Sequence, residues 1–199
     1  VKPIDPDGFE RLFRTSIDPW NYRSSPFEAH KRRVLLRACG ARLYGRGLEL
    51  ACANGETTIS LDHRCLRLTA VDSSPTAVAA ATKRTLASPS VTVTRCLLPA
   101  EMPRGPFDLI VVSEIVYYLT PNALGLLIAK IEAALAPGGR VVVLHHLRRF
   151  DDASQIPARA QAATCRCLSR SMRRVFAESH GRFQAMAFEA TRRRGARHA

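Results

Sequence analysis

The residues best suited to chemistry stand where apolar runs end. "GLELACANGETT" (Gly47–Thr58) places Glu49 near the end of such a run and continues into a turn of small residues, Ala51, Cys52, Ala53, Asn54 and Gly55. A backbone that must approach a ligand closely needs side chains of this size. Only Gly55 takes a positive φ freely; for alanine that conformation costs ~1–2 kcal/mol. "LTAVDSSP" ends on Asp72, with Ser73 and Ser74 behind it. A carboxylate at a strand tip can accept two hydrogen bonds from the hydroxyls of a ribose. "FDLIVVSEIVYYL" supplies Ser113 and Glu114, then Tyr117 and Tyr118, and "RVVVLHH" supplies His145 and His146. An imidazole or carboxylate in such a place can take a proton from an amine. Neighbouring residues on a strand point to opposite faces, so the two histidines should not share a role.

Other chemistries fit poorly. The turn after Glu49 lacks the GxGxxG that sets a helix N-terminus against pyrophosphate, and it lacks the GK[ST] of a nucleoside triphosphate site. An adenosyl ligand without phosphates makes smaller demands. The six cysteines include no CxxC pair, only Cys165-Arg-Cys167, so free thiols and no metal site are expected. A net charge of +13 raises the question of nucleic acid. Arginine is spread from Arg11 to Arg197 with one cluster, "TRRRGARHA", and no aromatic-interleaved RNA signature accompanies it. A solvated basic surface is the expectation, nucleic acid is not an expected partner, and an acidic partner stays open. The apolar runs fall short of the ~20 residues of a membrane helix, so no membrane contact is expected. "VKPIDPDGFERLF" has no secretory apolar core, and a cytoplasmic location is expected.

Elements must position these residues. "DPDGFERLFR" reads as a short helix. Pro26, capped by Ser25, opens a second helix to Ala38, with Val34, Leu35 and Ala38 inward and His30, Lys31 and Arg32 outward. An alternation then follows: strand "GLELA", helix "GETTISLDHRC", strand "RLTAVD", helix "SPTAVAAATKRTLA", strands "VTVTRCL" and "FDLIVVSE". Next come the helix "TPNALGLLIAKIEAALAPGG", stopped by Pro-Gly-Gly, and the strand "RVVVLHH". Continuous apolar runs such as "LIVV" and "VVVL" indicate strands buried on both faces of a parallel sheet. A helix after Pro157 and an antiparallel hairpin, "MRRVFAES" and "RFQAMAFEA", complete the chain.

The ordered segments resemble the class I S-adenosylmethionine-dependent methyltransferases over residues 41–146. "DPWNYRSSPFEAHKRRVLL", "ELACANGETT", "FDLIVVSEIVYYL" and "LHHLRRFDD" narrow the resemblance to the NodS-like group, named for a nodulation N-methyltransferase of chitooligosaccharide amino sugars. That resemblance implies a Rossmann-like α/β sandwich: a mostly parallel seven-stranded sheet with a C-terminal antiparallel hairpin strand and helices on both faces. It divides the chain into an N-terminal helical cap over the cofactor (1–40), the methyltransferase domain (41–190) and a basic disordered tail (191–199).

The cofactor implied is S-adenosylmethionine. Glu49, Ala51, Cys52 and Gly55 would surround its methionine part, and Asp72, Ser73 and Ser74 its ribose. Ser113 would lie beside the methyl group, Trp20 would close over the ligand, and Lys31 would meet its carboxylate or else face solvent. Where relatives carry an Asp for the adenine amine this chain has Cys96 and Leu97, leaving a backbone N–H and apolar packing. By the family pattern His145 is the expected base, with Glu114 second, while Tyr117, Tyr118 and His146 would contact the acceptor. That acceptor would be an amine-bearing small molecule or glycan. An O-methyltransferase and a decayed fold acting as a binding or regulatory protein are the alternatives.

Overall fold

In the computed structural model, which describes residues 3–191, the apolar runs pair into one seven-stranded sheet. Its strands are β1 (Tyr44–Leu50), β2 (Cys65–Asp72), β3 (Val91–Arg95), β4 (Phe107–Ser113), β5 (Leu135–His146), β6 (Met172–Ser179) and β7 (Phe183–Ala190). They lie in the order β3-β2-β1-β4-β5-β7-β6. The first five run parallel, and β7 is antiparallel to both β5 and β6. This is the expected Rossmann-like sandwich. The order reverses between β1 and β4, and open α/β sheets bind ligands outside such a switch point. Apart from Thr191, the tail expected over 191–199 lies outside the described residues.

The helices are α1 (Pro6–Thr15), α2 (Pro26–Cys39), α3 (Thr58–Asp62), α4 (Pro75–Arg84), α5 (Pro121–Ala134) and α6 (Pro157–Ser171). All but α3 begin on a proline, whose missing N–H costs nothing in a first turn. Asp5, Ser25, Ser74 and Thr120 cap four of them by accepting a backbone N–H. Two boundaries differ from the sequence reading. The helix expected over "GETTISLDHRC" shrinks to α3, because turns occupy the residues before Thr58. "LAPGG" belongs to β5 rather than to a helix stop: α5 ends at Ala134, and the β4–β5 register shifts between Phe107 and Leu109 to absorb the extra residues.

Strand parity sorts the core. Leu109, Val111, Val142 and Leu144 pack against Val34, Leu35 and Ala38 of α2 and Leu61 of α3. Ile110, Val112, Val141 and Val143 face α5 and α6. Of residues 1–40, expected to cap the site, α2 is thus one layer of the sandwich, and its outward trio is not free. Lys31 is buried, Arg32 pairs with Glu56 at 3.7 Å, and His30 packs against His180 and Phe183. It is α1 that lies over the strand tips. Glu10 accepts from Ser74 Oγ (2.6 Å), Thr76 Oγ1 (2.7 Å) and Thr76 N (3.1 Å), and Ile4 N donates to Asp152 O at 2.9 Å. Among the described residues no helix is long and apolar enough to cross a membrane.

Candidate active site

Beneath α1, the tips of β1, β2, β4 and β5 open into a cavity of about 500 Å³. Its walls include Glu49, Ala51, Cys52, Asp72, Ser73, Leu97, Ser113, Glu114, Tyr117, Tyr118, His146, Trp20 and Lys31. The volume is within the usual range of small-molecule sites.

In the turn after β1 two alanines hold a conformation that favours glycine. Ala51 (φ 56°) and Ala53 (φ 50°) are both left-handed, as is Gly55 at 81°. Each alanine costs about 1–2 kcal/mol in that conformation, so neighbouring bonds must hold it. Cys52 N donates to Val71 O (2.9 Å), Gly55 N to Cys52 O (3.0 Å) and Ala53 N to Asp72 Oδ2 (2.9 Å). Gly55 itself is not in the cavity wall. A Cβ there would sit 2.9 Å from Ala81 Cα, so the residue lets the turn pack on α4 rather than touch a ligand. Ser74 is likewise behind the wall. Its Oγ accepts from Ala77 N as the α4 cap.

Asp72 Oδ1 accepts from Ser74 N at 3.0 Å and Oδ2 from Ala53 N. Each oxygen keeps a lone pair for a ligand hydroxyl. Burial raises its pKa, and those backbone donors oppose the shift. Glu49, on the same face, accepts from Thr58 Oγ1 at 2.6 Å, and burial pushes its carboxyl up to about 8. Leu97 lines the cavity, but its N–H already donates to Glu101 Oε2 (2.7 Å), so it does not offer the expected donor to an adenine.

At the β4 end stands a buried charge cluster. Lys31 Nζ lies 2.9 Å from Glu28 and 2.5 Å from Glu114. Glu114, itself left-handed (φ 55°), also accepts from Tyr117 OH and from His146 N at 3.0 Å. Burial disfavours charge on Glu114, but Lys31, His145 and the Tyr117 hydrogen bond together outweigh it and hold the carboxyl below its ordinary range. Lys31, expected to face solvent or a ligand carboxylate, is thus committed to two protein carboxylates. The i+3 spacing of Glu28 and Lys31 on α2 was the available signal; what buries the pair is the β4 tip.

The two histidines part as strand parity requires, and the structure reverses their expected places. His145 faces α6, fully buried and outside the cavity wall. Its Nδ1 meets Gln161 Oε1 at 2.8 Å, its Nε2 accepts from Val116 N at 3.4 Å, and burial pushes it down to about 4. Both ring nitrogens are occupied, so as placed it reaches no substrate. His146 shares the face of α2 and lines the cavity.

Aromatic rings complete the enclosure. Trp20 lines the cavity while its ring packs on Phe13 (5.6 Å) and Tyr22 (5.5 Å). Tyr118 stacks edge-on against Phe9 of α1 at 4.8 Å and lies 5.9 Å from Phe150. Phe9 and Phe13, which with Leu12 form the apolar face expected of the first helix, and Phe150 were not among the expected site residues. The wall also inverts the charge of the chain. Glu28, Glu49, Glu56, Asp72, Glu114 and Asp152 line it against only Lys31 and Arg32, in a protein of net charge +13. Such a concavity concentrates cations.

Comparison with known proteins gives four findings. A family model described as Nodulation protein S (NodS) matches residues 6–144. Nodulation protein S of Rhizobium tropici is 32% identical over 145 residues, 68% of this chain and 59% of the relative, so the chain spans less than two thirds of that protein. The crystal structure of the N-methyltransferase NodS from Bradyrhizobium japonicum WM9 with S-adenosyl-L-homocysteine superposes with a TM-score of 0.80 at 25% identity, covering 92% of this chain and 97% of that one. The [4+2]-cyclase SpnF shares the fold at a TM-score of 0.72 and 13% identity, covering 96% of this chain and 99% of its own, so fold alone does not fix a reaction.

Proposed function

The chain belongs to the nodulation protein S family, and from that premise we propose that it transfers a methyl group from S-adenosylmethionine to the amine of a small or glycan acceptor. The observation that carries the reading is the acidic, aromatic-walled cavity at the strand tips of a basic protein. It suits a ligand bearing positive charge on an otherwise apolar body.

The residues fit that cofactor. Asp72 has free lone pairs for the ribose hydroxyls, the small turn Ala51–Ala53 admits close approach, and Glu49 faces the cavity beside it. The cofactor supplies a sulfonium methyl whose C–S bond breaks as a nitrogen lone pair forms the new C–N bond. Catalysis of such an in-line displacement rests mainly on proximity and alignment. The chain's own part is then to orient and to move a proton. Ser113 and Glu114 hold the β4 tip, Tyr117 and Tyr118 flank the acceptor, and the His146 ring accepts the proton of its nitrogen. Burial keeps His146 below its ordinary pKa and therefore neutral. His146→Ala is expected to lower turnover about tenfold, below the usual range for acid–base groups because the leaving group needs no help. Its affinity for S-adenosylhomocysteine should stay unchanged; undiminished turnover would remove the residue from this role.

Calorimetry with S-adenosylhomocysteine tests the reading as a whole, and no binding at millimolar ligand would reject it. The same experiment reads Glu49. Its carboxyl is protonated below about 8 in the ligand-free protein, and the ligand's ammonium favours the ionised form. Binding between roughly pH 5 and 8 should release a proton and tighten as pH rises, levelling off above that window. Heats measured in two buffers of different ionisation enthalpy report this release, and it should vanish in Glu49→Gln. By the same sign, the contribution of Glu49 to the stability of the empty fold is fully present at acid pH and lost as pH climbs through about 8.

A further inference from the structure

Resting on the methyltransferase reading, we propose that Glu28 is the seat for the positively charged nitrogen of the acceptor, and so the residue that selects amines over hydroxyl acceptors. Three observations converge on it. Glu28 and Glu114 both face the cavity with side chains only 14% exposed, and a single ammonium, Lys31, lies between them. Two carboxylates sharing one cation leave one negative charge over, and an unmatched charge away from water is costly until a cation arrives.

The second observation decides which carboxylate carries the surplus. Glu114 is closed to a further partner: its Oε2 accepts from Tyr117 OH and from His146 N, and its Oε1, sealed from solvent and without a hydrogen bond, has only the ion pair with Lys31. The carboxylate of Glu28 meets Lys31 alone, at 3.0 and 2.9 Å, leaving further acceptor sites on both oxygens. Burial lifts the carboxyl of Glu28 above its ordinary range, with Lys31 opposing, whereas Glu114 is held below. The third is the surrounding surface. Phe27, Tyr22 and Trp20 line the same cavity; the Phe27 ring is already engaged by Lys31 at 5.4 Å and by the Arg182 guanidinium at 3.8 Å, which leaves Tyr22 and Trp20 as the aromatic rings that can attract a further cation. Glu49 and Asp72 belong to the β1 and β2 tips, assigned above to the methionine and ribose parts of the cofactor, so they do not compete for this role.

A neutral hydroxyl gains little from such a place, since it would leave the surplus charge unmatched. An ammonium neutralises it and is held near His146, whose backbone N–H is bonded to the same Glu114. Before methyl transfer the nitrogen must yield one proton, which the His146 ring takes in the mechanism above.

The test uses protein loaded with S-adenosylhomocysteine and two pairs of probes, glucosamine against glucose and benzylamine against benzyl alcohol, titrated by calorimetry. The wild type should bind at least one amine tenfold or more tighter than its hydroxyl counterpart. Glu28→Gln should erase that preference while binding S-adenosylhomocysteine as the wild type does, and Glu28→Asp should keep part of it. Amines bound no better than alcohols by the wild type, or a preference intact in Glu28→Gln, would overturn the proposal. A parallel fall in affinity for S-adenosylhomocysteine in Glu28→Gln would also overturn it, assigning the residue to the cofactor instead. If S-adenosylhomocysteine fails to bind the wild type, it is the underlying methyltransferase reading that falls. Circular dichroism of each variant confirms that the comparison is between folded proteins.

Discussion

Asp72→Ala lowers the affinity for S-adenosylhomocysteine ten- to hundredfold, roughly 1–3 kcal/mol, the range for charge-assisted hydrogen bonds lost from a binding site. The expectation rests on a double duty. The lone pairs proposed for the ribose hydroxyls belong to the same oxygens that hold Ser74 N and Ala53 N. Removing the carboxylate withdraws the ligand's partner and also frees the turn that keeps Ala51 and Ala53 left-handed. Affinity should therefore fall together with melting temperature, because a backbone donor stripped of its acceptor costs about 1–3 kcal/mol when buried. Asp72→Asn is no gentle control: one of its two terminal atoms becomes a donor facing an N–H. Calorimetry below the melting transition separates the two effects. An affinity equal to the wild type's would refute the placement of Asp72 at the ribose.

Lys31→Met is expected to be the most damaging single change to stability, at about 3–5 kcal/mol, the cost of stranding buried carboxylates by removing their partner. The methionine keeps the aliphatic stem, so the loss is one of charge rather than volume. The sign of its pH dependence follows from Glu114, whose carboxyl lies below its ordinary range in the wild type. The stability that Glu114 contributes is present above the ordinary carboxylate range and is lost as pH falls through its depressed value. In the variant both carboxyls take up protons more readily, so the deficit should be greatest near pH 8 and shrink toward pH 5. Urea unfolding at both values measures it, and Lys31→Met with Glu114→Gln should recover part of the loss. A deficit under about 1 kcal/mol at pH 8 would mean that the cluster is hydrated rather than buried.

Much of this was legible in the residues, and the failures share one cause. Periodicity places the strands, and the prolines that resemble breakers open helices as their preceding caps suggest. Asp72 and the small-residue turn follow from strand tips alone. What local pattern does not contain is the identity of the layer facing each side of a strand. Parity separates His145 from His146, but only the packing of α2 on one face and α6 on the other says which looks into the cavity. Lys31 fails in the same way. On an isolated helix it belongs to a solvated stripe, and it is buried because β4 brings Glu114 from 83 residues away in sequence to within 2.5 Å. Glu28 escapes notice with it. Gly55 errs in the other direction: a glycine beside a binding turn suggests ligand contact, while the close approach it permits is to Ala81.

The carboxylate-lined hollow inside a cationic exterior has a kinetic corollary. A positively charged ligand diffusing toward the protein meets repulsion before it meets attraction, since the net charge acts at long range and the hollow only near its mouth. Dissolved salt damps the distant field over about 10 Å at 0.1 M, yet barely reaches groups shielded from water. Raising ionic strength should therefore hasten arrival while leaving departure nearly untouched, the reverse of the usual behaviour of oppositely charged partners.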